Sequence, residues 1–152
     1  MKAVMCTADD SEEIAALEKA VISVPWSERD IKYALEGNDG YAVFKVVNGA
    51  NRLMGYGGVK TAVGEGEIMN VAVRPEYRRK GVGRLIVEKI IAHCAENGVK
   101  KIWLEVYEKN LPAVSLYTSC GFSAAYARKN YYKEGDALIM SCEVSCTGSV
   151  KE

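Results

Sequence analysis

Apolar positions in this chain recur with two spacings, and the alternation between them lays out the elements. Residues 2–6 read as a short strand. Asp9, Asp10 and Ser11 then offer caps for a helix that carries Ile14, Leu17, Ala20 and Val21 on one face. Val24-Pro25-Trp26-Ser27 must turn, because proline cannot continue a helix and restricts the residue before it; Ser27 caps a second helix toward Leu35. Residues 41–47 and 52–59 are apolar, β-branched runs around the hairpin signal Asn48-Gly49-Ala50-Asn51, and a further turn is expected at 64–66. Strand 67–73 leads to a helix over 82–96, with Val87, Ile90, Ile91 and Cys94 at i, i+3, i+4 and i+7, which Asn97-Gly98 stops. Strand 101–107 follows. Asn110-Leu111-Pro112 opens another helix, with Ala113, Leu116, Tyr117 and Cys120 on its apolar face, and Gly121 closes it. Strands at 122–132 and 137–144, joined through Lys133-Glu134-Gly135, complete a mixed α/β sheet with helices on its faces. Residues 145–152 are small and polar, a tail expected to fray from a single domain over 1–144.

One junction in this pattern carries chemistry. Arg78-Arg79-Lys80-Gly81-Val82-Gly83-Arg84 lies where strand 67–73 hands over to helix 82–96. The first N–H groups of a helix have no partner within it and the dipole favours negative charge, so a pyrophosphate fits there. Gly81 and Gly83 lack a Cβ and let the backbone approach phosphate oxygens. Arg84, one turn inside the helix, opposes the dipole unless an anion is bound. Neither a G-x-x-x-x-G-K-[ST] loop nor a G-x-G-x-x-G after a first strand is present.

Composition narrows the classes. The chain has 152 residues, nearly half of them apolar, enough for one core and too few for two ordinary domains. Equal numbers of basic and acidic residues argue against a general nucleic-acid or membrane-surface binder, so any phosphate site is local. The five cysteines form no C-x-x-C pair and His93 is the only histidine, which argues against a zinc site; no metal is expected. An odd cysteine count, with no signal peptide and no apolar run of membrane length, reads as a reduced, cytoplasmic protein.

Asn70-Val71-Ala72-Val73-Arg74-Pro75 followed by Arg-x-x-Gly-x-Gly resembles the acetyl-CoA pyrophosphate loop of the GCN5-related N-acetyltransferase (GNAT) superfamily. That resemblance implies its fold, a mixed, mostly antiparallel twisted sheet flanked by helices. It also implies acetyl-CoA as co-substrate. Acetyl transfer to an amine then needs a polarised carbonyl, a base for the ammonium proton and a donor for the departing thiolate. The strand at Val71, Ala72 and Val73 offers main-chain groups to the cofactor's pantetheine arm and carbonyl, although a plain buried strand would look the same in sequence.

Period two places Glu105 beside Trp103 and Tyr107, opposite Ile102, Leu104 and Val106, where partial burial suits a base; an exposed polar position is the ordinary alternative. Tyr117 is either core or a donor to the CoA sulfur. Cys120 could act as a nucleophile, yet direct transfer requires none, and a buried structural thiol is the simpler reading.

Lys101-Ile102-Trp103-Leu104-Glu105-Val106, Asn110, Ser115-Leu116-Tyr117, Gly121-Phe122, Arg128-Lys129-Asn130-Tyr131-Tyr132 and Asp136-Ala137-Leu138-Ile139-Met140 together resemble the ribosomal-protein-alanine N-acetyltransferases of the RimI type; Pro25-Trp26-Ser27 matches too. The resemblance implies Glu105 as general base and Tyr117 as general acid. Val71, Ala72, Val73, Arg78, Arg79, Lys80, Gly81, Val82, Gly83, Arg84 and Asn110 would then contact acetyl-CoA. Its implied acceptor is the N-terminal alanine of the small-subunit ribosomal protein numbered eighteen, with no direct nucleic-acid or membrane contact. Glu67 is a second candidate base, since related acetyltransferases use a carboxylate on that strand. Two other readings stay open: the same fold acetylating a small-molecule amine or a lysine, and a CoA-binding, ribosome-associated module without turnover.

Overall fold

The structure, a computed structural model, describes residues 1–132 and 135–145. Strands β1 (Lys2–Met5), β2 (Tyr41–Val47), β3 (Leu53–Ala62), β4 (Glu65–Val73), β5 (Lys101–Tyr107), β6 (Ser123–Tyr132) and β7 (Gly135–Glu143) form one sheet in the order β1-β2-β3-β4-β5-β7-β6. Every pairing is antiparallel except β4 with β5. Helices α1 (Ser11–Val21) and α2 (Glu28–Leu35) lie on one face, α3 (Val82–Glu96) and α4 (Leu111–Ser119) on the other. The expected mixed, mostly antiparallel α/β sheet is therefore the observed one.

Alternation along β2 shows how the two cores share the sheet. Ala42, Phe44 and Val46 point into the α3 core with Ile86, Val87, Ile90 and Ile91, while Val43 joins Ile14, Leu17, Ile31 and Leu35 under α1 and α2. Ile86, Val87 and Ile90 are fully buried, each contributing about 1.5–3 kcal/mol by leaving water. Ser27 caps α2 by accepting from the Asp30 N–H at 3.1 Å, as its position predicts.

Two sequence expectations shift. The turn expected at 64–66 is a two-residue loop, Val63-Gly64, between the paired residues Ala62 and Glu65. Gly66 is instead inside β4, where its missing Cβ leaves room for Val59 and Cys94. On α1, Ala20 is exposed and Glu18 takes the buried slot with Ile14 and Leu17. Lys133 and Glu134, and the expected tail beyond Ser145, lie outside the described residues.

Two irregularities in β4 position the site. Its parallel pairing with β5 ends at Glu67↔Trp103, so both strands continue without pairing to each other and a cleft opens between them. Against β3, Val59 pairs with Ile68 and Gly57 with Val71, so three steps of β4 face two of β3. The extra residue is a bulge at Met69-Asn70, just where the strands part.

Candidate active site

The cleft between the parted strands runs from the start of α3 to the middle of β5. Its α3 end, about 690 Å³, is lined by the edge of β4 at Val71, Ala72 and Val73, by the loop at Arg78, Arg79 and Gly81 to Arg84, and by Asn110 and Tyr117 of the α4 segment. The adjoining part, about 580 Å³, shares Val71, Asn110 and Tyr117 and adds Met69, Asn70 and Glu105. Of the predicted cofactor residues only Lys80 is absent from these walls; its ammonium lies over the Tyr77 ring, 5.9 Å from the centroid, within cation–π range.

The loop geometry suits an anion. Gly81 precedes α3 at φ 83°, a left-handed conformation that glycine adopts freely. No side chain caps α3 and no acidic residue stands in its first turn, so its leading N–H groups face the cleft without a competing carboxylate. Acetyl-CoA's pyrophosphate fits that arrangement. Gly83 has a second reason to lack a side chain, since a Cβ there would meet Leu116 Cδ2 of α4 at 3.0 Å. Arg84 spans to Ser119 Oγ at 3.2 Å and to Glu88 at 3.4 Å, tying α3 to the end of α4. Asn110 caps α4 by accepting from the Ala113 N–H at 3.3 Å, so it has structural work beside any cofactor contact.

Glu105 and Tyr117 line the same part of the cleft. Glu105 sits half-buried on β5 with Arg128 of β6 at 3.3 Å, a partner that sequence periodicity does not reveal. Glu67 is exposed and borders a neighbouring hollow, which it shares with Glu105 but not with Tyr117. Tyr117 is buried, with its ring edge-on to Phe122 at 5.9 Å. Burial, with a smaller contribution from Cys120, pushes its phenol up to about 12, so it is a hydrogen-bond donor throughout the neutral range. Burial likewise raises the Cys120 thiol, which is the opposite of an activated nucleophile. Among the described residues no group of three or more His, Cys, Asp or Glu side chains is placed to hold a metal ion, and no helix is long and apolar enough to cross a membrane.

Behind the cleft, bonded to its wall residue Asn70, stands a residue that the sequence reading passed over. Glu18 of α1 is 2% exposed, and its carboxylate accepts from the Tyr56 hydroxyl, the Trp26 N–H and, at 2.9 Å, Asn70 Nδ2. Its signal was present in sequence: Ile14, Leu17, Glu18 and Val21 stand at i, i+3, i+4 and i+7.

Comparison with known proteins agrees with this geometry. Residues 10–122 match the acetyltransferase (GNAT) family. The chain is 32% identical over 133 residues to the [ribosomal protein bS18]-alanine N-acetyltransferase of Escherichia coli strain K12, covering 85% of this chain and 88% of that one. The crystal structure of the Escherichia coli ribosomal-protein-S18-alanine N-acetyltransferase superposes with a TM-score of 0.84 at 30% identity, covering 95% of this chain and 94% of the other. A phosphinothricin acetyltransferase of the GNAT superfamily from Sinorhizobium meliloti, solved in complex with AcCoA, shares the fold at a TM-score of 0.81 and 17% identity, over 99% of this chain and 93% of that one. With its parted strands, uncapped α3 and glycine loop, the chain belongs to the acetyltransferase (GNAT) family, whose co-substrate is acetyl-CoA, and within it to the RimI type.

Proposed function

We propose that the protein transfers the acetyl group of acetyl-CoA directly to the α-amine of a protein N-terminus, and that its acceptor is the N-terminal alanine of ribosomal protein bS18, the substrate named for its relatives. The observation that carries the reading is the placement of Glu105 and Tyr117 on one cavity, next to the uncapped start of α3. Glu105 takes the ammonium proton. The freed amine attacks the thioester carbonyl, which the open β4 edge at Val71 to Val73 can polarise through a main-chain N–H; the C–N bond forms, the C–S bond breaks with CoA leaving as the thiolate, and the second N–H proton passes to water. Tyr117 donates a hydrogen bond to the departing thiolate. With its phenol near 12 against about 8.5 for a free thiol, Tyr117 serves better as a donor than as a source of a fully transferred proton.

An α-amine suits a modest base. Its pKa near 7.8 leaves about a tenth of the groups neutral at pH 7, whereas a lysine at about 10.4 leaves far fewer. The reaction belongs in the cytoplasm, which the free, buried thiols of Cys6, Cys94, Cys120 and Cys142 support. The test is transfer from labelled acetyl-CoA to N-terminal peptides, lysine peptides and polyamines, with mass spectrometry locating the acetyl group. Labelling of the alanine α-amine supports the reading. Preferential labelling of a lysine or polyamine would replace the acceptor, and binding of acetyl-CoA without transfer to any of them would leave a non-catalytic module.

A further inference from the structure

Glu18 and Asn70 form a pair whose chemistry fixes a direction. Glu18 is the one acidic or basic side chain buried among the described residues, and none of the described ion pairs includes it. A buried carboxylate without a cation is expensive unless its lone pairs are used. Here three neutral donors use them, from three separate segments: Tyr56 on β3, the Trp26 N–H between α1 and α2, and Asn70 in the β4 bulge. Burial, followed by the hydrogen bond to Glu18, raises the Tyr56 phenol, which keeps that donor protonated.

A carboxylate accepts and does not donate. Asn70 must therefore turn Nδ2 toward Glu18, and its Oδ1 is the amide atom left for other partners. Asn70 also lines the cleft beside Glu105 and Tyr117, on the part of β4 that no longer pairs with β5. The chain that leaves α1 contributes Val21, Ile22 and Ser23 to the same wall. Glu18 thus holds both the wall and the orientation of the amide within it.

We propose that Asn70 binds the acceptor amine or its first peptide N–H through Oδ1, and that Glu18 is the positioning residue that aims this amide oxygen into the cleft. The identity of the acceptor rests on the proposed function; the orientation does not. Glutamine at position 18 keeps the size but can donate to Oδ1, which permits Asn70 to flip.

The test combines kinetics on the alanine peptide with NMR of the Asn70 side-chain amide in the full chain. Glu18→Gln and Asn70→Ala should each raise the peptide KM roughly five- to tenfold, the worth of one hydrogen bond, with acetyl-CoA affinity unchanged by calorimetry. The double variant should be no worse than either single one, because both remove the same contact. In wild type the Asn70 amide protons should be protected from exchange, and Glu18→Gln should remove that protection. A lowered Tm with an unchanged peptide KM in Glu18→Gln would reduce Glu18 to a structural part and overturn the inference. If that variant does not fold, Asn70→Ala decides alone, and an unchanged peptide KM overturns it. The NMR arm needs no turnover: absent acetylation of the alanine peptide refutes the proposed acceptor, whereas an unprotected amide in wild type refutes the orientation.

Discussion

Glu105 of β5 and Arg128 of β6 meet at 3.3 Å across the intervening strand β7, with side chains 27% and 50% exposed. Ion pairs this open are worth at most about 1 kcal/mol, so stability does not explain the contact. It holds the carboxylate at the cleft with one oxygen engaged. Glu105→Gln should keep acetyl-CoA affinity and lose roughly 10²- to 10⁴-fold in turnover, the usual range for a general base. Steady-state rates with the alanine peptide, compared with those of Glu67→Gln, check the assignment. A full rate in Glu105→Gln with a collapse in Glu67→Gln would move the base to β4.

The two loop glycines should fail differently. Gly81 stands at φ 83°, where a Cβ costs about 1–2 kcal/mol, so Gly81→Ala should lower stability. Gly83 is helical and its missing Cβ faces the tip of Leu116, which can move a few tenths of an ångström. A β-branched valine there fills the space beside the N–H groups as well. Gly83→Val should fold and bind acetyl-CoA at least about tenfold more weakly, as calorimetry would read it. Equal affinity in the folded variant would remove this turn from the cofactor site.

The loop and α3 were legible because two signals coincide at Gly81 and Gly83: a helical apolar stripe begins there, and a basic run with two closely spaced glycines stands at the handover from the preceding strand. The face on which Glu105 stands was legible through period two, as the buried Ile102, Leu104 and Val106 show, whereas its role as a base was implied only by the family resemblance. The cleft itself was not, since it depends on where β4 and β5 stop pairing, and register is set by packing across the sheet. Glu18 escaped for a related reason. A glutamate in an apolar stripe reads as solvated until its donors are known, and Tyr56 and Asn70 lie 38 and 52 residues further along the chain.

Val63 gives a test of the fold that leaves chemistry aside. It is fully exposed at the tip of the β3–β4 hairpin with φ 50°, and Gly64 follows at φ 79°. Both central residues of this two-residue loop are therefore left-handed, the conformation in which Asn-Gly is preferred and a β-branched residue is strained. Val63→Asn should raise stability by about 0.5–1 kcal/mol without changing the acetylation rate. Chemical denaturation of the two proteins reads the difference, and a loss of stability would show that the tip does not hold this conformation in solution.

Tyr117 makes the sharpest demand on pH. Burial raises its phenol from 10.0 to about 12, so the neutral form is favoured in the folded protein. The stability this represents is fully present below about pH 10 and is lost as pH rises toward 12, because the unfolded chain ionises first. An alkaline limb in the rate between pH 8 and 10 would therefore belong to another group, and should persist in Tyr117→Phe. That variant removes only the hydroxyl and should cost no more than about 1–2 kcal/mol in stability, while transfer slows by a larger factor. Acyl donors separate the two contributions. With a thiol of much lower pKa the leaving group needs little help, and the rate gap between Tyr117→Phe and wild type should narrow. A gap of unchanged size would assign the hydroxyl to packing or cofactor placement rather than to the departing sulfur.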